Sequence, residues 1–157
     1  MLAQAIAAAL TAALDAHDLG HRFRVLEIAE LAPTIGVTST PSELAPEGID
    51  ALRAIESADL IVAVTPVYKG SYTGLFKHLF DLVAPDSLVG CPVLLAANGG
   101  SDRHALVVDH QLRPLFAFFR ALTVPSAVYA AEADFDGYTL DSVAVHARID
   151  EAVGQAG

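Results

Sequence analysis

Residues 59–74 read DLIVAVTPVYKGSYTG, an apolar run that is closed by Pro66 and followed by a loop rich in Gly and hydroxyl residues. A continuous apolar run of this length is typical of a strand buried on both faces, as in a parallel sheet covered by helices. The runs PVLLAA and VPSAVY have the same character. We therefore predict buried parallel strands at 59–65, 92–97 and 124–129.

Helical periodicity surrounds these strands. Leu2, Ile6, Leu10 and Leu14 recur every four residues in an Ala-rich run, which predicts a helix ending near Gly20. Regular alternation of helices and buried strands predicts one α/β domain, residues 1–157, built as a three-layer α/β/α sandwich around a parallel sheet. The remaining predicted elements are a strand at 23–28, a long connection at 33–48, and helices at 49–57, 74–83, 105–122 (interrupted at Pro114) and 141–153.

The composition excludes several classes of protein. Hydrophobic residues make up 54% of the chain and charged residues 18%. An intrinsically disordered sequence has few hydrophobic and many charged residues, so this class is excluded. Lys and Arg number 9 and Asp and Glu 19, so the net charge of −10 disfavours nucleic acid and anionic membrane surfaces as partners. No uncharged stretch reaches the ~20 residues of a membrane-spanning helix.

Cys91 is the one cysteine, so the chain has no internal disulfide, which predicts a cytoplasmic protein. It precedes a predicted strand at the amino-terminal end of the sheet, where we expect a buried and inert thiol. The six histidines show no metal-ligand spacing, and we predict no metal site.

Two loops follow the predicted strands at 59–65 and 92–97. Parallel sheets bind ligands at the carboxyl ends of their strands, so both loops lie at the edge where a ligand is expected. Tyr68 offers a flat ring and a hydroxyl, and Gly70 lets the backbone approach a planar ligand. An ordinary strand-to-helix turn accounts for either loop alone, whereas the pair favours a shared ligand. The candidate binding residues are Pro66, Val67, Tyr68, Lys69, Gly70, Ser71, Asn98, Gly99, Gly100, Ser101 and His104.

The segment at 65–77, TPVYKGSYTGLFK, resembles the flavin-ring loop of the NADPH-dependent FMN reductases, in which Pro-x-Tyr is followed by Ser, then Gly or Ala, then Lys. The likeness continues in ANGGS at 97–101, HAL at 104–106 and VYA at 128–130. It extends over roughly residues 1–150, and it is closest to the small reductases partnered with alkanesulfonate-type or luciferase-like flavin monooxygenases.

The resemblance implies a flavodoxin-like fold with strand order 2-1-3-4-5. It also implies reduction of FMN by NADPH or NADH, release of reduced FMN to a partner monooxygenase, and a homo-oligomer, either a dimer or a tetramer. Since the flavin and the nicotinamide carry the hydride chemistry, no side-chain acid or base is expected to be catalytic. A flavodoxin-like quinone or azo-dye reductase and a non-catalytic flavin-binding or electron-transfer module remain alternatives.

One departure from the family pattern concerns the start of the chain. Family members begin with a strand and a loop of the type Gly-Ser-x-x-x-x-Ser-Arg/Lys-Thr, which cradles the FMN phosphate. This sequence begins at Met1, already inside the helix expected to follow that loop. We therefore expect a sheet without its first, central strand, and we assign no phosphate-binding residue.

The predicted helix at 105–122 is apolar over about half of its circumference. Val107, Phe118 and Leu122 extend the apolar arc beyond the stripe that a single core contact requires. The surplus predicts either a surface for a partner copy or a contact with the last helix.

Overall fold

The computed structural model describes residues 1–156. No helix in this range is long and apolar enough to cross a membrane. Short 3₁₀ turns occur at 41–43, 102–104 and 132–134, and a π-helical turn at 108–112. The regular elements are α1 (Leu2–Ala16), α2 (Ile28–Ile35), α3 (Pro46–Glu56), β1 (Ile61–Pro66), α4 (Gly74–Leu82), β2 (Pro92–Gly99), α5 (Arg113–Phe118), β3 (Leu122–Thr123), β4 (Val128–Ala131), β5 (Phe135–Asp136), β6 (Thr139–Leu140) and α6 (Val143–Gly154).

The main sheet is parallel, with β2 at its centre. Strand β1 pairs with one side of β2, so that Val62 lies opposite Leu94. Both β3 and β4 pair with the other side, β3 beside the start of β2 and β4 beside its end. The short strands β5 and β6 form a separate antiparallel hairpin.

Helices cover both faces of the sheet and confirm the three-layer prediction. On one face α1 and α6 pack over β2, with Ile6, Leu94 and Ile149 almost completely buried. On the other face α2, α3, α4 and the helical segment before β3 enclose a larger core around Phe80 and Phe116. The two rings meet edge to face with centroids 4.9 Å apart, a favoured aromatic geometry.

The predicted strand at 23–28 is wrong. Residues 18–27 are irregular, Phe23 and Val25 are exposed, and α2 begins at Ile28. Among residues 1–156 no strand pairs with the outer edge of β1, so this apolar segment has no neighbour to supply ladder hydrogen bonds. The observed sheet therefore lacks the first two strands of the order 2-1-3-4-5.

The predicted strand at 124–129 is only partly correct. Its last two residues begin β4, residues 124–127 are irregular, and the short strand β3 lies just before the predicted range. Proline has no N–H to donate to the ladder, and Arg113 Nη1 and Nη2 donate to the carbonyls of Val124 and Pro125 at 3.0 and 3.2 Å. The N–H of Val124 still donates to the carbonyl of Val93 in β2 at 2.9 Å, whereas the carbonyls of Val124 and Pro125 are bound by the side chain of Arg113.

Three helix boundaries differ from the predictions. The connection predicted at 33–48 includes the end of α2, which continues through Pro33, and the first turn of α3. The helix predicted at 105–122 stops at Phe118, because Arg120 adopts a left-handed conformation with φ +56°. Helix α1 ends at Ala16, before a left-handed Asp18 (φ +54°) that takes the role expected of Gly20. Helices α4 and α6 lie where they were predicted.

Candidate functional site

The loop after β1 folds back into a tight turn. Tyr68 and Ser71 exchange two backbone hydrogen bonds, of 2.9 and 3.2 Å. The residues between them, Lys69 and Gly70, have φ values of +54° and +81°, which makes this a type I′ turn. Glycine adopts that conformation freely, whereas the left-handed lysine costs roughly 1–2 kcal/mol. The turn leaves the side chain of Tyr68 66% exposed at the carboxyl edge of the sheet.

Helix α4 starts directly after this turn and anchors it. The hydroxyl of Thr73 accepts from the N–H of Phe76 at 3.1 Å and so caps the helix. The N–H of Thr73 in turn donates to Oγ1 of the fully buried Thr65, at 3.4 Å. Both ends of the loop are therefore attached to regular structure.

The loop after β2 is held against the first loop and against β4. The N–H of Val67 donates to the carbonyl of Asn98 at 2.8 Å, which joins the two loops. The hydroxyl of Tyr129 donates to the carbonyl of Ser101 at 2.6 Å. Burial raises the pKa of Tyr129, and the nearby carboxylates of Asp102 and Asp134 add to the effect, so the phenol stays protonated and able to donate.

Gly99 and Gly100 have different surroundings. A Cβ on Gly99 would lie 2.5 Å from the hydroxyl of Tyr129, so this position has no room for a side chain. A Cβ on Gly100 would meet no atom within 4 Å. The N–H groups of Gly100 and Ser101 make no hydrogen bond within residues 1–156. Two backbone donors of this loop thus have no partner within the described residues, and the space beside Gly100 is open.

The candidate residues occupy one edge of the sheet. Pro66 ends β1 opposite Asn98 near the end of β2, and the bond from Val67 to Asn98 brings the two loops into contact. His104 belongs to the 3₁₀ turn after Ser101, and its exposed side chain joins neither loop by a hydrogen bond within residues 1–156. Whether these residues bind a cofactor stays a prediction.

Two residues of this site were absent from the sequence prediction. Tyr129 stands in β4, and its place near the carboxyl end of a predicted strand was a usable signal. Gln111 accepts a hydrogen bond from Ser71 at 3.0 Å. It lies in the π-helical turn, inside what the sequence predicted as one long helix, and no local pattern distinguishes it.

We expect Gly99→Ala to destabilise the protein by about 1–3 kcal/mol, the usual cost of overpacking. The new methyl group would displace the hydroxyl of Tyr129 and break its bond to Ser101. Tyr129→Phe removes the clashing atom, so the double variant should lose less stability than the sum of the two single variants. Urea unfolding of the three variants measures this, and strictly additive losses would contradict the packing described.

The three-layer sandwich around a parallel sheet, with two glycine-containing loops at its carboxyl edge, is a flavodoxin-like fold. The family model for NADPH-dependent FMN reductase matches residues 1–136, and the chain belongs to this family of oxidoreductases.

Individual proteins agree with this assignment. An FMN reductase (NADPH) of Pseudomonas aeruginosa is 53% identical over 133 residues, which is 85% of this chain and 72% of that protein. The NADH-dependent FMN reductase SfnF of Pseudomonas fluorescens is 51% identical over 94% of this chain and 80% of its own length. The crystal structure of an oxidoreductase from Corynebacterium diphtheriae superposes with a TM-score of 0.88, at 37% identity, over 98% of this chain and 84% of that one.

Proposed function

We propose that this protein catalyses the reduction of FMN by NADPH or NADH. The observation that carries the proposal is the pairing of the two loops, which puts the exposed Tyr68 and the free N–H groups of Gly100 and Ser101 at one edge of the sheet. The relatives support it, since one is named an NADPH enzyme and another an NADH enzyme.

The residues present suit the ring system of a flavin. An isoalloxazine needs a flat apolar contact and hydrogen-bond donors for its carbonyl edge. Tyr68 provides an exposed aromatic face, and the backbone at Gly100 offers free donors with no side chain in the way. Lys69, Gly70 and Ser71 form the rest of the turn on which the ring would rest.

Bound FMN supplies the hydride acceptor, and the protein holds and polarises it. The free N–H groups of Gly100 and Ser101 would stabilise the negative charge that reduction places near the flavin N1 and O2, as an oxyanion hole does. The bond from Tyr129 to Ser101 keeps this loop in place. We assign no general acid or base.

We further propose that the reduced FMN leaves for a partner flavin monooxygenase. The resemblance supports this role, and so does the exposure of Tyr68 and Gly100, which leaves the ring site open to solvent.

The lone, half-buried Cys91 agrees with a cytoplasmic location. Burial raises the pKa of its thiol, which keeps it protonated.

We also propose a homo-oligomer, a dimer or a tetramer. Of the three residues in the surplus apolar arc, Val107 is buried within the chain. Phe118 and Leu122 are 66% and 62% exposed, so α6 does not cover them. Two large exposed apolar side chains, one at the end of α5 and one in the neighbouring β3, favour a contact with another copy.

The test is a flavin reductase assay on the purified protein. We expect oxidation of NADPH or NADH, followed at 340 nm, to depend on added FMN and to saturate with it. Gel filtration of the protein with FMN shows whether the flavin stays bound. Parallel assays with quinones and azo dyes then show whether the protein is a quinone or azo-dye reductase instead. A folded preparation that oxidises neither nicotinamide above background with FMN would overturn the proposal.

A further inference from the structure

Gln111 connects the helical segment after β2 to the loop after β1. Ser71 Oγ donates to Gln111 Oε1 at 3.0 Å, although the two residues are 40 positions apart. Within residues 1–156 this is the one side-chain hydrogen bond made by the turn at 68–71. Both residues are partly buried, so water competes less with their bond than on an open surface.

Between its two anchored ends, the turn itself has few other hydrogen bonds. Two backbone hydrogen bonds close it, and Lys69 is kept in a left-handed conformation that lysine disfavours. The bond from Ser71 to Gln111 therefore attaches a strained turn to a helical segment that is itself packed on the core through Val108 and Leu112.

The bond also determines what Ser71 can offer a ligand. A hydroxyl has one proton, and Ser71 gives it to Gln111, so Oγ remains available only as an acceptor. The amide nitrogen of Gln111 makes no hydrogen bond to protein in the described part of the chain, which leaves two N–H donors available.

We propose that Gln111 is a positioning residue of the flavin site. It fixes the turn at 68–71 and orients the hydroxyl of Ser71 to accept from an N–H group on the edge of the flavin ring. The inference rests on the proposed function, because it assigns this turn to the ring. Its effect on the turn itself needs no flavin and is measurable without it.

Two substitutions at this position separate the roles of shape and hydrogen bonding. Gln111→Met keeps a side chain of similar length and removes the acceptor, whereas Gln111→Glu keeps an acceptor. In the flavin-free protein, NMR-detected hydrogen exchange at the amides of Tyr68 and Ser71 should be at least about threefold faster in Gln111→Met and near the original rate in Gln111→Glu. The dissociation constant for FMN should rise about three- to tenfold in Gln111→Met and stay within about twofold in Gln111→Glu.

A matched control is available at the far end of α6. Gln155 Oε1 accepts from the N–H of Ser126 at 2.8 Å, so Gln155→Met removes the same kind of bond away from the turn. It should change neither exchange in the turn nor FMN affinity. A double variant, Ser71→Ala with Gln111→Met, should bind FMN no more weakly than Ser71→Ala alone, because both changes break one bond.

The outcomes are distinguishable. Unchanged exchange and unchanged FMN affinity in Gln111→Met, additive losses in the double variant, or failure of Gln111→Glu to restore affinity would each overturn the role of Gln111 while leaving the reductase activity in place. A chain that binds FMN with the expected variant effects but does not reduce it would overturn the proposed function and uphold the role of Gln111. A chain that binds no FMN would overturn both.

Discussion

Gly100→Val is expected to raise the dissociation constant for FMN by about tenfold or more, while the melting temperature stays within about 2 °C of the original. A Cβ at Gly100 meets no protein atom within 4 Å, and the residue is exposed, so the fold has room for the new side chain. The branched side chain would stand beside the free N–H groups and keep a planar ring from reaching them. Quenching of flavin fluorescence measures the affinity.

Gly20→Val serves as the matched control. Gly20 is also exposed, and a Cβ there likewise meets nothing within 4 Å, but it lies in the irregular segment between α1 and α2. The same substitution should leave FMN affinity unchanged there. Equal affinity of Gly100→Val and the original protein would show that the ring does not approach this loop.

Arg113→Ala is expected to destabilise the protein by about 2–3 kcal/mol, which corresponds to a fall of roughly 5–10 °C in melting temperature. The Arg113 side chain, 28% exposed, donates to Asp109, to the hydroxyl of Thr123 at the end of β3, and to the carbonyls of Val124 and Pro125 in the segment that follows. Bonds to a charged donor contribute more than neutral ones, and the carbonyls would lose their partner.

Arg24→Ala is the control for loss of a positive charge. Arg24 forms an ion pair with Asp50 in which both side chains are well exposed, and solvent screens such pairs strongly. We expect little change in its unfolding midpoint. Arg113→Lys keeps the charge but not the planar fork, and it should lose about half as much stability as Arg113→Ala. Similar midpoints for Arg113→Ala and Arg24→Ala would contradict the anchoring role.

The elements that the sequence predicted correctly are those whose pattern reflects their own burial. The run at 93–97 in β2 is buried on both faces of the sheet, that in β1 is buried at Ala63 and Thr65 and half-buried on its other face, and Leu2, Ile6 and Leu10 form the buried stripe of α1. Such patterns predict which face is buried, because burial follows from the spacing of apolar side chains along one element.

The loops at 66–71 and 98–101 were located by the same reasoning. A parallel sheet brings the carboxyl ends of its strands to one edge, so the position of two strands predicts the position of two loops. The hydrogen bond from Val67 to Asn98 confirms that the loops meet. Their composition did not distinguish Gly99, which has no room for a side chain, from Gly100, which faces open space.

The sequence by itself determined the layered α/β architecture, the strands β1 and β2 and the edge at which the loops lie. Only the tertiary structure decided that 23–28 is not a strand, that Arg113 binds the carbonyls between β3 and β4, and that Gln111 reaches Ser71. Each of these depends on a partner distant in sequence: a neighbouring strand, a guanidinium or a hydroxyl. Apolar periodicity records how each segment is buried, but hydrogen bonds between distant segments form only once packing has brought their donors and acceptors within about 3 Å.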